Sequence, residues 1–204
     1  MHTRPKSRAL FEAIREHILE GRYLPGQWLK QAELESTYGA SRSDVRSALS
    51  SLSERGIVEY SRNRGFRVFN REPREIRDII EMIVVLEAAA ARSILGNASA
   101  SDIEELEHLA RKFDDLTEKG SHAELRLTNY RFHDQLNALC GNRIMADTIR
   151  HLRECCVSGP FERYTTFEGL RASSREHFEI IDALQSGDAR KLKDLLRRHT
   201  THST

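Results

Sequence analysis

Apolar residues recur at intervals of three and four through most of the chain, the period that gathers them on one side of a helix. Ala9, Leu10, Ala13, Ile14, His17 and Ile18 follow this spacing until Glu20-Gly21-Arg22-Tyr23-Leu24-Pro25-Gly26 interrupts it, because neither glycine nor proline propagates a helix. A short second helix is expected over Gln31 to Tyr38, with Ala32 and Leu34 at helical positions and Gly39 as its stop. Ser41 is suited to cap a third, whose stripe Val45, Ala48, Leu49 and Leu52 ends before Gly56. The pattern then changes to β-type runs. Ile57-Val58-Glu59-Tyr60 and Phe66-Arg67-Val68-Phe69 flank Ser61-Arg62-Asn63-Arg64-Gly65, which predicts a hairpin with a basic tip. Three short helices followed by a hairpin is the order of a winged helix-turn-helix.

From Arg74 onward no strand pattern survives. Helices are expected at about 74–96, 100–118, 121–140, 143–157, 168–186 and 188–201. The breaks are Gly96-Asn97, Glu118-Lys119-Gly120, Gly141-Asn142, Gly159-Pro160 and Ser186-Gly187, with Ser99 and Ser101 available as caps. Short connections favour an antiparallel bundle. The expected fold is therefore mainly α. Residues 1–72 form a winged helix-turn-helix domain with a small β-hairpin, and residues 73–204 form an all-α bundle of about six helices.

Composition narrows the class. At 204 residues, with 39% apolar and 31% charged side chains, the chain can bury a core without disulfides or metals. No run approaches the roughly 18 apolar residues of a membrane span, and the N-terminus lacks a signal-peptide pattern, so a cytoplasmic protein without membrane contact is expected. Cys140, Cys155 and Cys156 are odd in number and lack metal-ribbon spacing, which predicts free thiols. The net charge of +1 conceals an asymmetry. Residues 1–72 carry 13 Lys and Arg against 9 Asp and Glu, and the remainder carries 19 against 22. The basic excess lies where phosphate contact is expected.

Arg42, Ser43 and Arg46 occupy the exposed face at the start of the third helix, where a recognition helix enters the major groove. An arginine fork can hold O6 and N7 of guanine together, and a serine hydroxyl can take a phosphate or a base edge. Arg64 and Arg67 on the hairpin are placed to reach an adjacent groove or the backbone. The competing reading is a solvated helix with surface ion pairs. A homodimer on operator DNA is expected, since one such helix reads only a few base pairs.

The helix at 121–140 carries Leu125, Asn129, Phe132, His133, Leu136 and Cys140 on one face, so Asn129 and His133 interrupt an apolar stripe one turn apart. His177 interrupts the stripe of Leu170, Ser174, Ile181 and Leu184, and His199 follows Leu192, Leu195 and Leu196. Three inward histidines on three helices need partners that an apolar bundle does not supply easily. A divalent metal such as zinc or nickel is one such partner; an ordinary hydrogen-bonded polar core is the alternative. His2, His17, His108, His122, His151 and His202 lack this pattern and are expected at the surface.

Several runs resemble the GntR superfamily of transcriptional regulators: Gly21-Arg22-Tyr23-Leu24-Pro25-Gly26-Gln27-Trp28-Leu29, Glu33-Leu34, Ser41-Arg42, Val45-Arg46, Ala48-Leu49, Gly56-Ile57-Val58 and Arg64-Gly65-Phe66-Arg67-Val68. The resemblance implies that Arg42 and Arg46 contact DNA and that Gly65 lets the wing approach its backbone. Asp44 stands where the family usually has proline, and Ser47 where it usually has glutamate. The second half is similar to the FCD ligand-binding domain of the FadR-type subfamily through Phe132-His133, Gly141-Asn142, Glu176-His177, Ile181, Ala183-Leu184, Gly187-Asp188 and His199. In metal-binding relatives the three histidines and an aspartate hold an ion with open positions for a carboxylate effector. Here the aspartate position is Asn129, a weaker fourth ligand, and Ile83 replaces an arginine that often anchors the effector. Asn129, Arg143 and Arg150 are therefore the candidate effector contacts.

The resemblance implies a ligand-responsive DNA-binding regulator, with repression of a metabolic operon as its expected action. Two alternatives from other classes remain at this point. One is a metal-dependent enzyme using the three histidines, and the other is an architectural DNA-binding dimer without an effector.

Overall fold

The apolar stripes of the first 72 residues fold as α1 (Pro5–Leu19), α2 (Gln31–Tyr38) and α3 (Arg42–Glu54). The computed structural model describes residues 5–156 and 166–202. The Gly159-Pro160 break, His2 and the side chain of His202 lie outside the described residues. Ile14, Val45, Ala48, Leu49 and Leu52 are completely buried, so α1 and α3 pack through the faces their spacing defines. Between α2 and α3, Gly39 adopts φ 59° and its N–H bonds the carbonyl of Glu35. That left-handed conformation is easiest for glycine and turns the chain sharply. Ser41 then caps α3 by accepting a hydrogen bond from the Asp44 N–H.

The hairpin is β2 (Val58–Ser61) and β3 (Gly65–Val68), and a further strand, β1 (Trp28–Leu29), pairs with the other edge of β3. All pairs are antiparallel, in the order β1-β3-β2. Two residues are too few to register as a period, so β1 has no signature in the sequence and exists because β3 offers it an edge. At the hairpin tip Asn63 has φ 64° and Gly65 φ 95°. A residue with a Cβ would be strained at Gly65 even though open space surrounds it.

Met1–Glu72 and Pro73–Thr204 are two compact units. The second is all-helical among the described residues: α4 (Pro73–Asn97), α5 (Ala100–Lys119), α6 (His122–Ala138), α7 (Arg143–Cys155), α8 (Phe167–Gln185) and α9 (Ala189–His202). Ser99 with Asp102 and Ser121 with Glu124 form reciprocal capping boxes, and Asn142 and Thr166 cap α7 and α8. α4 packs on α9 and α7, α5 on α6 and α8, and α8 on α9. Ile94, Leu106, Ala110, Phe132, Leu136, Ile180, Leu192 and Leu196 form one continuous core. Helix α6 stops short of the expected end because the N–H groups of Leu139 and Cys140 bond three residues back, to Leu136 and Asn137, in a tighter turn. Cys140, Cys155 and Cys156 are buried free thiols.

Leu49→Ala should cost about 2–5 kcal/mol, since its site is fully enclosed and cannot collapse around the lost methyl groups. Chemical denaturation followed by circular dichroism measures it. The loss is expected as a shift in midpoint with little change in slope.

Candidate DNA-reading surface and histidine centre

Arg42, Ser43 and Arg46 are exposed at the N-terminal end of α3, on the side opposite its buried stripe. Asp44, foreign to the family pattern, has a local role. Its Oδ2 accepts a hydrogen bond from Ser41 Oγ at 2.6 Å, so the carboxylate braces the helix start. Ser47 meets Ser7 of α1 through their hydroxyls at 3.2 Å. On the wing Arg64 is exposed at the tip. Arg67 is engaged within the sheet instead: its Nε lies 2.6 Å from Glu59 Oε1, and its guanidinium lies over the Trp28 ring at 5.6 Å. His17 departs from its expected surface position. It is half-buried, with Nδ1 2.6 Å from the Tyr38 hydroxyl, and so links α1 to the end of α2.

In the second unit the structure brings His133 of α6, His177 of α8 and His199 of α9 together, with one nitrogen from each lying within 4.8 Å of the others. All three are essentially inaccessible to solvent. His133 Nε2 and His199 Nε2 are 3.0 Å apart, and the Phe132 ring stacks on His177 with centroids 4.2 Å apart. Glu176, buried beside His177, has Oε2 2.7 Å from His199 Nδ1. Asn129 lies one turn before His133, and its Oδ1 is buried with no hydrogen-bond partner among the described residues; the same holds for His133 Nδ1. Two nitrogens bound next to each other on one ion, each at about 2.1 Å, lie about 3 Å apart, so this donor set fits a transition-metal ion.

Glu87 is fully buried, and a glutamate amid Ile83, Ala88 and Ala91 is a signal that the spacing of the histidines does not include. Its Oε1 accepts hydrogen bonds from Asn137 Nδ2 at 2.8 Å and from Arg153 Nε and Nη2 at 3.0 and 2.7 Å. Its Oε2 accepts from the Thr200 hydroxyl at 2.7 Å. The positive charge of Arg153 acts on His133. Arg143 is 94% exposed beside Asp147, and Arg150 is divided between Asp134 and Asp147.

Burial pushes the His133 imidazole well below its ordinary value of 6.5, aided by the charges of Arg153, His199 and His177. The unfolded chain protonates this ring at a pH where the folded chain keeps it neutral. In metal-free protein the stability from His133 is therefore complete above about pH 6.5 and is lost progressively as pH falls toward the depressed folded value. Thermal midpoints measured in chelator-treated samples should drop below pH 6.5, and less steeply for His133→Gln.

Among the described residues no helix is long and apolar enough to cross a membrane. Residues 6–68 match the family described as bacterial regulatory proteins, gntR family, and residues 78–202 match the FCD domain. The regulator BphR of Paraburkholderia xenovorans is 28% identical over 96% of this chain and 82% of its own length. The transcriptional repressor RspR of Escherichia coli is 23% identical over 97% of this chain and 86% of its own. The solved structure of E. coli McbR/YncC superposes with a TM-score of 0.89 at 20% identity, covering 98% of this chain and 95% of that one. The matched families are those of transcription regulators, so the metal-dependent enzyme is not the activity of this chain. The chain belongs to the GntR family as a transcriptional regulator with an FCD domain.

Proposed function

We propose that this regulator is a cytoplasmic, ligand-responsive repressor of a metabolic operon, binding its operator as a homodimer and sensing a small carboxylate at a metal centre in the C-terminal unit. The observation that carries this reading is the convergence of three inaccessible histidines, with Asn129 one turn before His133 and its Oδ1 without a hydrogen-bond partner among the described residues. A buried amide oxygen without a partner is one that a bound ion or ligand would satisfy. Repression is supported by the likeness to RspR, a transcriptional repressor by name.

Arg42, Ser43 and Arg46 enter the major groove, Arg46 reading a base edge, while Arg64 and Gly65 of the wing meet the phosphates. Arg67, paired with Glu59, holds the wing in place and would reach DNA only by exchanging that carboxylate for a phosphate. The dimer reading is supported by Met82 and Val85, which stay half-exposed on α4 among Glu81 and Ala89 and are apolar enough to be covered by a second copy. His133, His177 and His199 would hold zinc or nickel, with Asn129 as a weak fourth ligand. A bound ion would supply positive charge for an effector carboxylate. Asn129 remains the candidate effector contact within the bundle, and Arg153, whose charge acts on His133, would add to the attraction for an anion.

Arg46→Ala should weaken specific binding by about 1–3 kcal/mol and relax preference at one base pair, while Arg64→Ala weakens all sequences alike and lowers the salt slope by about one. Fluorescence anisotropy across operator variants distinguishes these, and sedimentation of the complex should give two chains per duplex. An Arg46→Ala protein with the parent's sequence preference would remove α3 as the reading helix.

Asn129→Asp should raise the thermal stabilisation by zinc or nickel, because it adds the charge that three neutral imidazoles lack. His177→Ala should abolish it, and small carboxylates should increase it in the parent. A thermal-shift series on the three proteins gives the answer; equal responses would leave a polar core, with DNA affinity indifferent to small molecules, as the better account.

A further inference from the structure

The proton inventory of the histidine centre assigns a role to Glu176 that the ligand set alone does not contain. Glu176 Oε2 lies 2.7 Å from His199 Nδ1, inside the bundle, with Glu176 itself buried. A carboxylate only accepts, so the proton of a neutral His199 sits on Nδ1 and its Nε2 carries a lone pair. That Nε2 points at the cluster, 3.0 Å from His133 Nε2. Two neutral rings at that distance need one proton between them, which His133 then donates. Ring tautomers are therefore ordered by one carboxylate. His199 is set in its ligating form before any ion arrives, and His133 reaches its own by moving a proton to Nδ1, an atom without a hydrogen-bond partner among the described residues.

We propose that Glu176 is the positioning residue of the metal centre and supplies, through His199, the negative charge that Asn129 does not. This rests on the metal reading above. A carboxylate bonded to the far nitrogen of a ligating imidazole makes that ring more basic and fixes its orientation, and its loss typically weakens metal binding tenfold to a hundredfold. Glu87, the other carboxylate close by, has its charge taken up by Arg153. Arg198 approaches the remaining oxygen of Glu176 at 3.6 Å but is about half-exposed, so solvent screens its opposition.

The test is competition of Ni²⁺ and of Zn²⁺ against a chromophoric chelator with the full chain, its Glu176→Gln and Glu176→Ala variants, and Glu179→Gln as a control. Glu179, one turn along α8 from Glu176 and more exposed, pairs with the same Arg198 of α9 but not with His199, so its loss changes the net charge equally while leaving the bond to His199 in place. Glutamine keeps an acceptor for the Nδ1 proton, so Glu176→Gln should preserve fold and tautomer and still lose tenfold or more in affinity. Glu176→Ala should lose at least as much and also shift the His199 ring nitrogens in ¹⁵N NMR of the metal-free protein. Glu179→Gln should bind as the parent does. A Glu176→Gln affinity equal to that of the parent, or to an equally weakened Glu179→Gln, overturns the role of Glu176 while leaving the metal centre standing. A parent that binds neither ion overturns the metal centre and this role with it.

Discussion

An imidazole taken out of water must be given something to face, and the C-terminal unit takes three of them out at once. The solution ties three helices together: His133 faces His199 at 3.0 Å, His199 faces Glu176 at 2.7 Å, and His177 lies against the aromatic rings of Phe113 and Phe132. Removing hydration also lowers the proton affinity of His133. A ring that burial keeps neutral, as it does His133, is a ring with a lone pair available.

Glu87 answers a second burial problem in the same unit. As a fully inaccessible carboxylate it holds Asn137 of α6, Arg153 of α7 and Thr200 of α9, and it is stable there because four donors replace its lost water. Thr200 directly follows His199, so the last helix is fastened to the histidine cluster and to the Glu87 network by neighbouring residues. A displacement of α9 strains both. Arg153 belongs to each as well, bonding Glu87 while its charge holds down the proton affinity of His133.

The DNA-binding unit solves a different problem, which is to present polar side chains on a rigid support. The buried stripe of α3 leaves Arg42, Ser43 and Arg46 outward, and Asp44, bonded to Ser41, secures the first turn that carries them. The wing is braced by Arg67, which spans Glu59 and Trp28 and so joins all three strands of the sheet. Positive charge at Arg64 is thereby held at the end of a short, cross-linked ribbon.

Helical and alternating periods along the chain were enough to locate the helices and the hairpin, because each element's apolar face is written in residues three, four or two apart. The exposed start of α3 and the inward direction of His133, His177 and His199 followed from the same arithmetic. Strand β1 did not, since two residues carry no period and only the free edge of β3 creates it. Nor could spacing tell Arg153 from Arg143 and Arg150, which share one helix and one chemistry. Their difference arises when α7 turns Arg153 toward Glu87 and leaves Arg143 in solvent. The partners Glu176 and Glu87 belong to the same class. Local sequence determines which face of a helix is apolar, but which polar atom meets which across 23 or 66 residues of chain is decided by how the helices pack, and that is a property of the tertiary structure alone.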